Sequence, residues 1–100
     1  MQFAVTAHDG ANMLERRMQV RPRHLENIAA MCKAGRVIAA GGLQDADGNP
    51  CGSVLVLEYE TREQLDEYLV SEPYVTEKVW EDIKVEPINV VILDNQKVGN

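Results

Sequence analysis

Apolar and polar positions alternate over residues 2–8, with Phe3, Val5 and Ala7 on one side and Gln2, Ala4, Thr6 and His8 on the other. A period of two predicts a half-buried strand, ended here by Asp9-Gly10. Asn12 with Glu15 three positions later is a loose capping pattern and predicts a short helix over 12–19. Arg21-Pro22 interrupts it, because a residue before proline avoids the helical region. Pro22 suits the first turn of a second helix. In that helix Leu25, Ile28, Ala29 and Cys32 recur at i, i+3, i+4 and i+7, an apolar stripe. Gly35 stands at the stop position. His24 falls about 90° from the centre of the stripe, at the margin of the buried face and within the first turn.

Val37–Ala40 reads as a short strand before Gly41-Gly42, and residues 43–52 as a polar turn punctuated by Asp47-Gly48-Asn49-Pro50. Gly52–Glu60 reads as a strand whose first half is apolar on both faces. Such a strand must be covered on both sides. The predicted helices cover one side, which points to a partner subunit for the other. Thr61 with Gln64 forms a capping box for a helix carrying Leu65, Tyr68 and Leu69. Ser71-Glu72-Pro73-Tyr74 breaks that helix and restarts a turn with Pro73 at its first position. Ile83–Leu93 reads as the last strand, and its alternation changes phase at Pro87, which predicts a bulge or an edge position. The order β-α-β-β-α-β matches the ferredoxin-like plan of an α+β protein, an antiparallel sheet with both helices on one face. One domain over residues 1–93 and a flexible tail over 94–100 complete the expectation.

Composition narrows the functions. A chain of 100 residues and 11.2 kDa is one domain, able to bury roughly 65% of its unfolded surface. The net charge of −6 and pI of 4.8 argue against nucleic acid and anionic membrane as partners. Aromatic residues at 5% supply no base-stacking platform. No apolar run approaches the roughly 20 residues of a membrane span, and residues 1–20 lack the apolar core of a signal peptide. The expectation is a cytoplasmic protein with Cys32 and Cys51 as plain thiols. Zinc spacings, phosphate loops and nucleophile elbows are absent from the sequence. The total charge hides an asymmetry. Residues 1–36 carry six basic side chains against three acids, whereas residues 58–86 carry ten acids against three bases. The basic stretch is either a solvated face or the lining of an anion pocket.

An ordered set of short motifs carries a resemblance. These are Asp9 after the first strand, Leu14-Glu15-Arg16-Arg17, Arg21-Pro22-Arg23-His24-Leu25, Gly35-Arg36, Ala40-Gly41-Gly42, Gly52-Ser53 and Glu72-Pro73-Tyr74. With these motifs the chain resembles the YCII-related family of dimeric α+β-barrel proteins over about residues 2–92. The resemblance implies a ferredoxin-like protomer that pairs its sheet with a second copy. It also implies a cleft in which a histidine and a carboxylate form an acid/base pair. By position these are His24 and Glu72, the latter standing where the family usually has Asp. Gly41-Gly42 stands where the family usually has Gly-Pro, so that edge of the pocket differs too. Some family members look like enzymes of hydroxylated or chlorinated aromatic compounds that use no metal or organic cofactor.

The residue types suit that chemistry. Histidine near neutrality is the commonest general base, and a carboxylate partner fixes its tautomer. Arg17 and Arg21 suit an anionic oxygen, with His8, Gly42, Ser53 and Tyr74 as further pocket-lining candidates. Each residue also has an ordinary reading. His24 is then a boundary histidine bonded to backbone, Glu72 a surface cap, the arginines ion pairs, and the others turn, strand or packing residues. The leading expectation is a cofactor-free enzyme performing elimination or hydrolysis on a small hydroxylated aromatic. The alternative is a dimeric ligand-binding or accessory module without turnover. A monooxygenase on the same fold is a third reading that the sequence neither favours nor excludes.

Overall fold

The computed structural model describes residues 1–99. The elements are β1 (Gln2–Asp9), α1 (Leu14–Lys33), β2 (Val37–Gln44), β3 (Pro50–Glu58), α2 (Arg62–Ser71), the short α3 (Pro73–Thr76), β4 (Trp80–Ile88), and a small hairpin of β5 (Ile92–Leu93) and β6 (Gln96–Lys97). Strands β2-β3-β1-β4 form one sheet in that order, and every neighbouring pair is antiparallel. This is the expected ferredoxin-like α+β sheet. The pleat sends Phe3, Val5 and Ala7 of β1 and Ser53, Leu55 and Leu57 of β3 to the helix side, where all are buried. Val20, Tyr59, Leu65, Tyr68, Tyr74, Val79 and Trp80 complete the core with them. Burying a side chain of the size of Leu or Phe contributes about 1.5–3 kcal/mol. On the open face Ala4, Thr6, Val54 and Val56 stay only half-buried.

Several boundaries differ from the sequence expectation. The two helices expected over 12–19 and after Pro22 are one helix of 20 residues with Pro22 inside it. Proline removes one intrahelical bond, here the one to the Met18 carbonyl. Pro22 is exposed, and packing of the opposite face, which carries Arg17, Val20 and His24, holds the helix together. Asn12 does not cap it. Its φ is +59, Met13 takes the cap position, and no side chain caps the end. The far end is a Schellman stop, with Gly35 at φ +75 and the amides of Gly35 and Arg36 bonding Cys32 O and Met31 O.

The buried face of α1 also differs. It carries Arg17, Val20 and His24, while Leu25 and Cys32 of the expected stripe are exposed. His24 therefore lies mid-helix rather than in a first turn, beyond reach of the positive helix end. Strand β2 continues through Gly41-Gly42, and β3 starts earlier than expected. Strand β4 ends at Ile88, and its register shift lies opposite His8/Asp9 rather than at Pro87. Pro87 is tolerated because β4 pairs with β1 alone and is an edge strand. Residues 92–97, expected in part as tail, pair as the β5–β6 hairpin. Asn100 of that tail lies outside the described residues. No helix among the described residues is long and apolar enough to cross a membrane.

The local signals around the second helix hold. Thr61 Oγ1 accepts from the Gln64 amide at 3.2 Å, and Pro73 opens α3. Glu72 therefore sits between α2 and α3, where its side chain accepts from the Tyr74 amide at 3.3 Å.

Candidate active site

A cavity of about 660 Å³ opens between α1 and the β2–β3 edge of the sheet. It exists because β2 offers Ala40, Gly41 and Gly42 there, too small to fill the space beneath the helix. Met18, Arg21 and Leu25, three and four residues apart on α1, line one wall, and His24, Arg17, Ser53 and Tyr74 also border the cavity. A Cβ on Gly42 would stand 3.8 Å from the Gly52 carbonyl oxygen and 3.9 Å from Arg17 Nη2, both ordinary contacts. Glycine there keeps the wall open; the backbone does not demand it.

His24 and Glu72 meet. Nδ1 of His24 contacts Oε1 of Glu72, and the carboxylate is fully buried. Nδ1 is thereby committed to the carboxylate, and Nε2 takes no protein partner among the described residues. An imidazole donating from Nδ1 carries its lone pair on Nε2, the arrangement of a general base. The other Glu72 oxygen accepts from the Tyr68 hydroxyl. The His24 ring stacks on Tyr74 at 4.1 Å between centroids and meets the Trp80 edge at 6.1 Å.

Arg17 is committed elsewhere. Its Nη1 donates to both Asp9 oxygens at 2.8 and 3.0 Å, and its Nη2 donates to Ser53 Oγ at 2.9 Å. Its guanidinium also lies 4.5 Å from the Tyr74 ring centroid. Burial pushes the Asp9 carboxyl above its ordinary value, opposed by the Arg17 hydrogen bond and charge. Arg17 is thus neutralised within the protein, whereas Arg21 borders the cavity with no carboxylate partner among the described residues. Among the described residues, the buried Arg17 Nε, Tyr74 Oη and Trp80 Nε1 have no hydrogen-bond partner. Burial raises the Tyr74 hydroxyl above its usual range, opposed by Arg17 and Arg21, so it remains a neutral donor.

Of the residues singled out from sequence, the fold brings Arg17, Arg21, His24, Gly42, Ser53, Glu72 and Tyr74 to this one region. It does not bring His8 there. His8 is exposed on the opposite face of the sheet, out of phase with Ala7 and Asp9. Three residues of the site escaped the sequence reading: Tyr68, Trp80 and, as the partner of Arg17, Asp9. A signal existed for Tyr68, since it stands four residues before Glu72 on the same helix. Among the described residues no group of three or more His, Cys, Asp or Glu side chains is placed to hold a metal ion. Cys32 is exposed and Cys51 half-buried, and neither is in a disulfide.

Residues 1–89 match the YCII-related domain. The protein YciI of Escherichia coli O6:H1 is 32% identical over 97 residues, spanning 91% of this chain and 99% of its own. The chain belongs to the YCII-related family. Another relative, the aspercryptin biosynthesis cluster protein B of Emericella nidulans, is 36% identical over 87 residues, covering 80% of this chain and 56% of that protein. Among solved structures, the 5-chloro-2-hydroxyhydroquinone dehydrochlorinase TftG of Burkholderia phenoliruptrix AC1100, in complex with 2,5-dihydroxybenzoquinone, superposes with a TM-score of 0.82. The superposition covers 88% of this chain and 93% of TftG at 19% identity, a likeness of fold. This YCII-related chain therefore has the protomer fold of the dimeric α+β barrels, as its motifs implied.

Proposed function

We propose that this chain is a small enzyme that moves protons on a small hydroxylated aromatic substrate, in an elimination or hydrolysis, and works as a homodimer. One observation carries the reading: a buried carboxylate holds His24 by Nδ1 beside an open cavity, with the unpaired Arg21 on its wall. In the elimination, His24 Nε2 takes a proton from one ring hydroxyl and delivers it to the ring carbon that bears the halogen. Loss of a second hydroxyl proton to Nε2 then breaks the carbon–halogen bond, the halide leaves with the bonding pair, and the ring becomes a quinone. Glu72 keeps the imidazole in the right tautomer and stabilises its charged form. Arg21, not Arg17, receives the developing negative oxygen, because Asp9 already satisfies Arg17. The Tyr74 hydroxyl, lacking a partner, is a further donor for a substrate oxygen. Met18, Leu25 and Ile28 supply an apolar wall for a ring. The dehydrochlorinase on the same fold supports a halogenated hydroquinone as the first compound to try.

The dimer has its own support. The accessible surface of 6451 Å² exceeds the roughly 5,700 Å² expected of a compact monomer of this mass. The half-buried Val54 and Val56 on the open sheet face are where a second copy would cover it. Light scattering at micromolar concentration should give twice 11.2 kDa; a monomer would overturn the assembly.

The test of the enzyme is chloride release from 5-chloro-2-hydroxyhydroquinone and binding of 2,5-dihydroxybenzoquinone. His24→Ala is expected to abolish turnover with a thermal midpoint close to wild type. Glu72→Gln should lose about as much, since residues acting as a unit are non-additive. A fully active His24→Ala variant would remove the acid/base reading.

A further inference from the structure

Glu72 has no Arg or Lys within ion-pairing distance among the described residues; its one ionic partner is His24. Yet it is fully buried, a position that strongly disfavours a carboxylate unless hydrogen bonds hold it. Its Oε1 is shared by His24 and the Tyr74 amide. Its Oε2 has one partner, the Tyr68 hydroxyl. Tyr68 does not line the cavity, so it acts on the chemistry only through Glu72.

We propose that Tyr68 is a positioning residue for the His24–Glu72 pair, holding one carboxylate oxygen so that the other stays aimed at His24 and damping the hold of that carboxylate on the imidazole's proton. The proposal rests on the acid/base reading of the pair. Tyr68 stands one helical turn before Glu72 on α2, and its ring lies parallel to Tyr59, 6.4 Å away and 15° from coplanar. Tyr59 in turn lies under the Arg36 guanidinium at 5.0 Å. Neither Tyr59 nor Arg36 lines the cavity, so the phenol is held by residues outside it. Burial and the adjacent carboxylate push its hydroxyl far above the ordinary tyrosine value, so it donates without giving up its proton. A hydrogen bond from a fixed donor favours the ionised carboxylate. It does so most when His24 is neutral and Glu72 carries the only charge of the pair. Removing it makes the pair bind its proton more tightly.

The chain has only two histidines, so an NMR titration of the imidazole nitrogens reads the pair without any substrate. His8, exposed on the far face of the sheet, is the internal reference. The other ionisable groups near the pair are Arg17 and Arg21 on α1, Tyr74 on α3 and Asp9 on β1, and none is altered in the variants. Tyr68→Phe should raise the His24 midpoint by about one pH unit and leave His8 unmoved. Incorporation of 3-fluorotyrosine at position 68 alone, a stronger donor of nearly the same shape, should lower it, and this decides the matter if the Phe variant does not fold. Glu72→Gln, which removes the anion, should also lower it. If Glu72→Gln shifts His24 but both changes at Tyr68 leave it in place, Tyr68 merely packs and the proposal fails while the pair stands. If Glu72→Gln leaves it in place as well, the pair itself is refuted and the proposal with it.

Discussion

Replacing Arg17 by Met removes the guanidinium that holds the Asp9 carboxylate. The Asp9 and Arg17 side chains are each 5% exposed, and the variant leaves the carboxylate without the contacts at 2.8 and 3.0 Å. Breaking one member of such a buried pair costs about 3–5 kcal/mol. That is a large part of the roughly 5–15 kcal/mol available to a small domain. The cost depends on pH. In the wild type, burial already raises the Asp9 carboxyl above its ordinary 3.8, and Arg17 pulls it back down. A raised acid stabilises the fold fully below its unfolded value and loses that contribution as pH rises through its folded value. Without Arg17 the value rises further, so the variant loses more stability over the same climb, about 1.4 kcal/mol for each unit of extra shift. Urea unfolding at one fixed protein concentration is the assay, so that any self-association enters both proteins equally. The gap between wild type and Arg17→Met should widen steadily from about pH 4 to pH 7.5. Adding Asp9→Asn to Arg17→Met should flatten that pH dependence. A gap of the same size at both ends of the range, or one below about 1 kcal/mol at neutrality, would refute the clamp and return Arg17 to the role of substrate anchor.

Three further outcomes follow from the same geometry. Gly52→Ala should prevent stable folding, because its Cβ would stand 2.4 Å from the Ala7 carbonyl oxygen across the β1–β3 ladder; a circular-dichroism melt like the wild type would contradict this. Arg21→Met should weaken calorimetric binding of 2,5-dihydroxybenzoquinone by about tenfold or more while leaving the thermal midpoint in place, and equal affinity would clear Arg21 of the role. Tyr74→Phe should fold at least as stably as the wild type, since its buried hydroxyl has no partner to lose; a marked drop in thermal midpoint would mean that the hydroxyl is satisfied after all.

The strand pattern was readable because a period of two directly names the buried side, and Phe3, Val5, Ala7, Leu55 and Leu57 obey it. The long helix was not readable for a local reason. Its inner face is built from Arg17, Val20 and His24, two of them polar, whereas its exposed side carries Leu14, Met18 and Leu25. Hydrophobicity therefore pointed the wrong way, and Pro22 suggested a break that packing overrides. The same inversion marks the site, because Arg17 and His24 are buried by partners distant in sequence, Asp9, Ser53 and Glu72. The family resemblance, rather than any spacing, paired His24 with Glu72. Nothing in the spacing showed that Asp9 would consume the charge of Arg17, since that pairing depends on how α1 lies across β1. His8 alternates with the buried Ala7, which sends it to the sheet face away from the helices and outside the cavity.

Trp80 is the only tryptophan in the chain, and its ring sits 5.6 Å from Tyr74 and in edge contact with His24. Protonated imidazole quenches indole emission at contact. The protein consequently carries its own fluorophore beside the acid/base pair. Proton uptake by His24, or the arrival of a quinone in the cavity, is open to reading as intensity in a stopped-flow cuvette, with no label attached and no reaction product required.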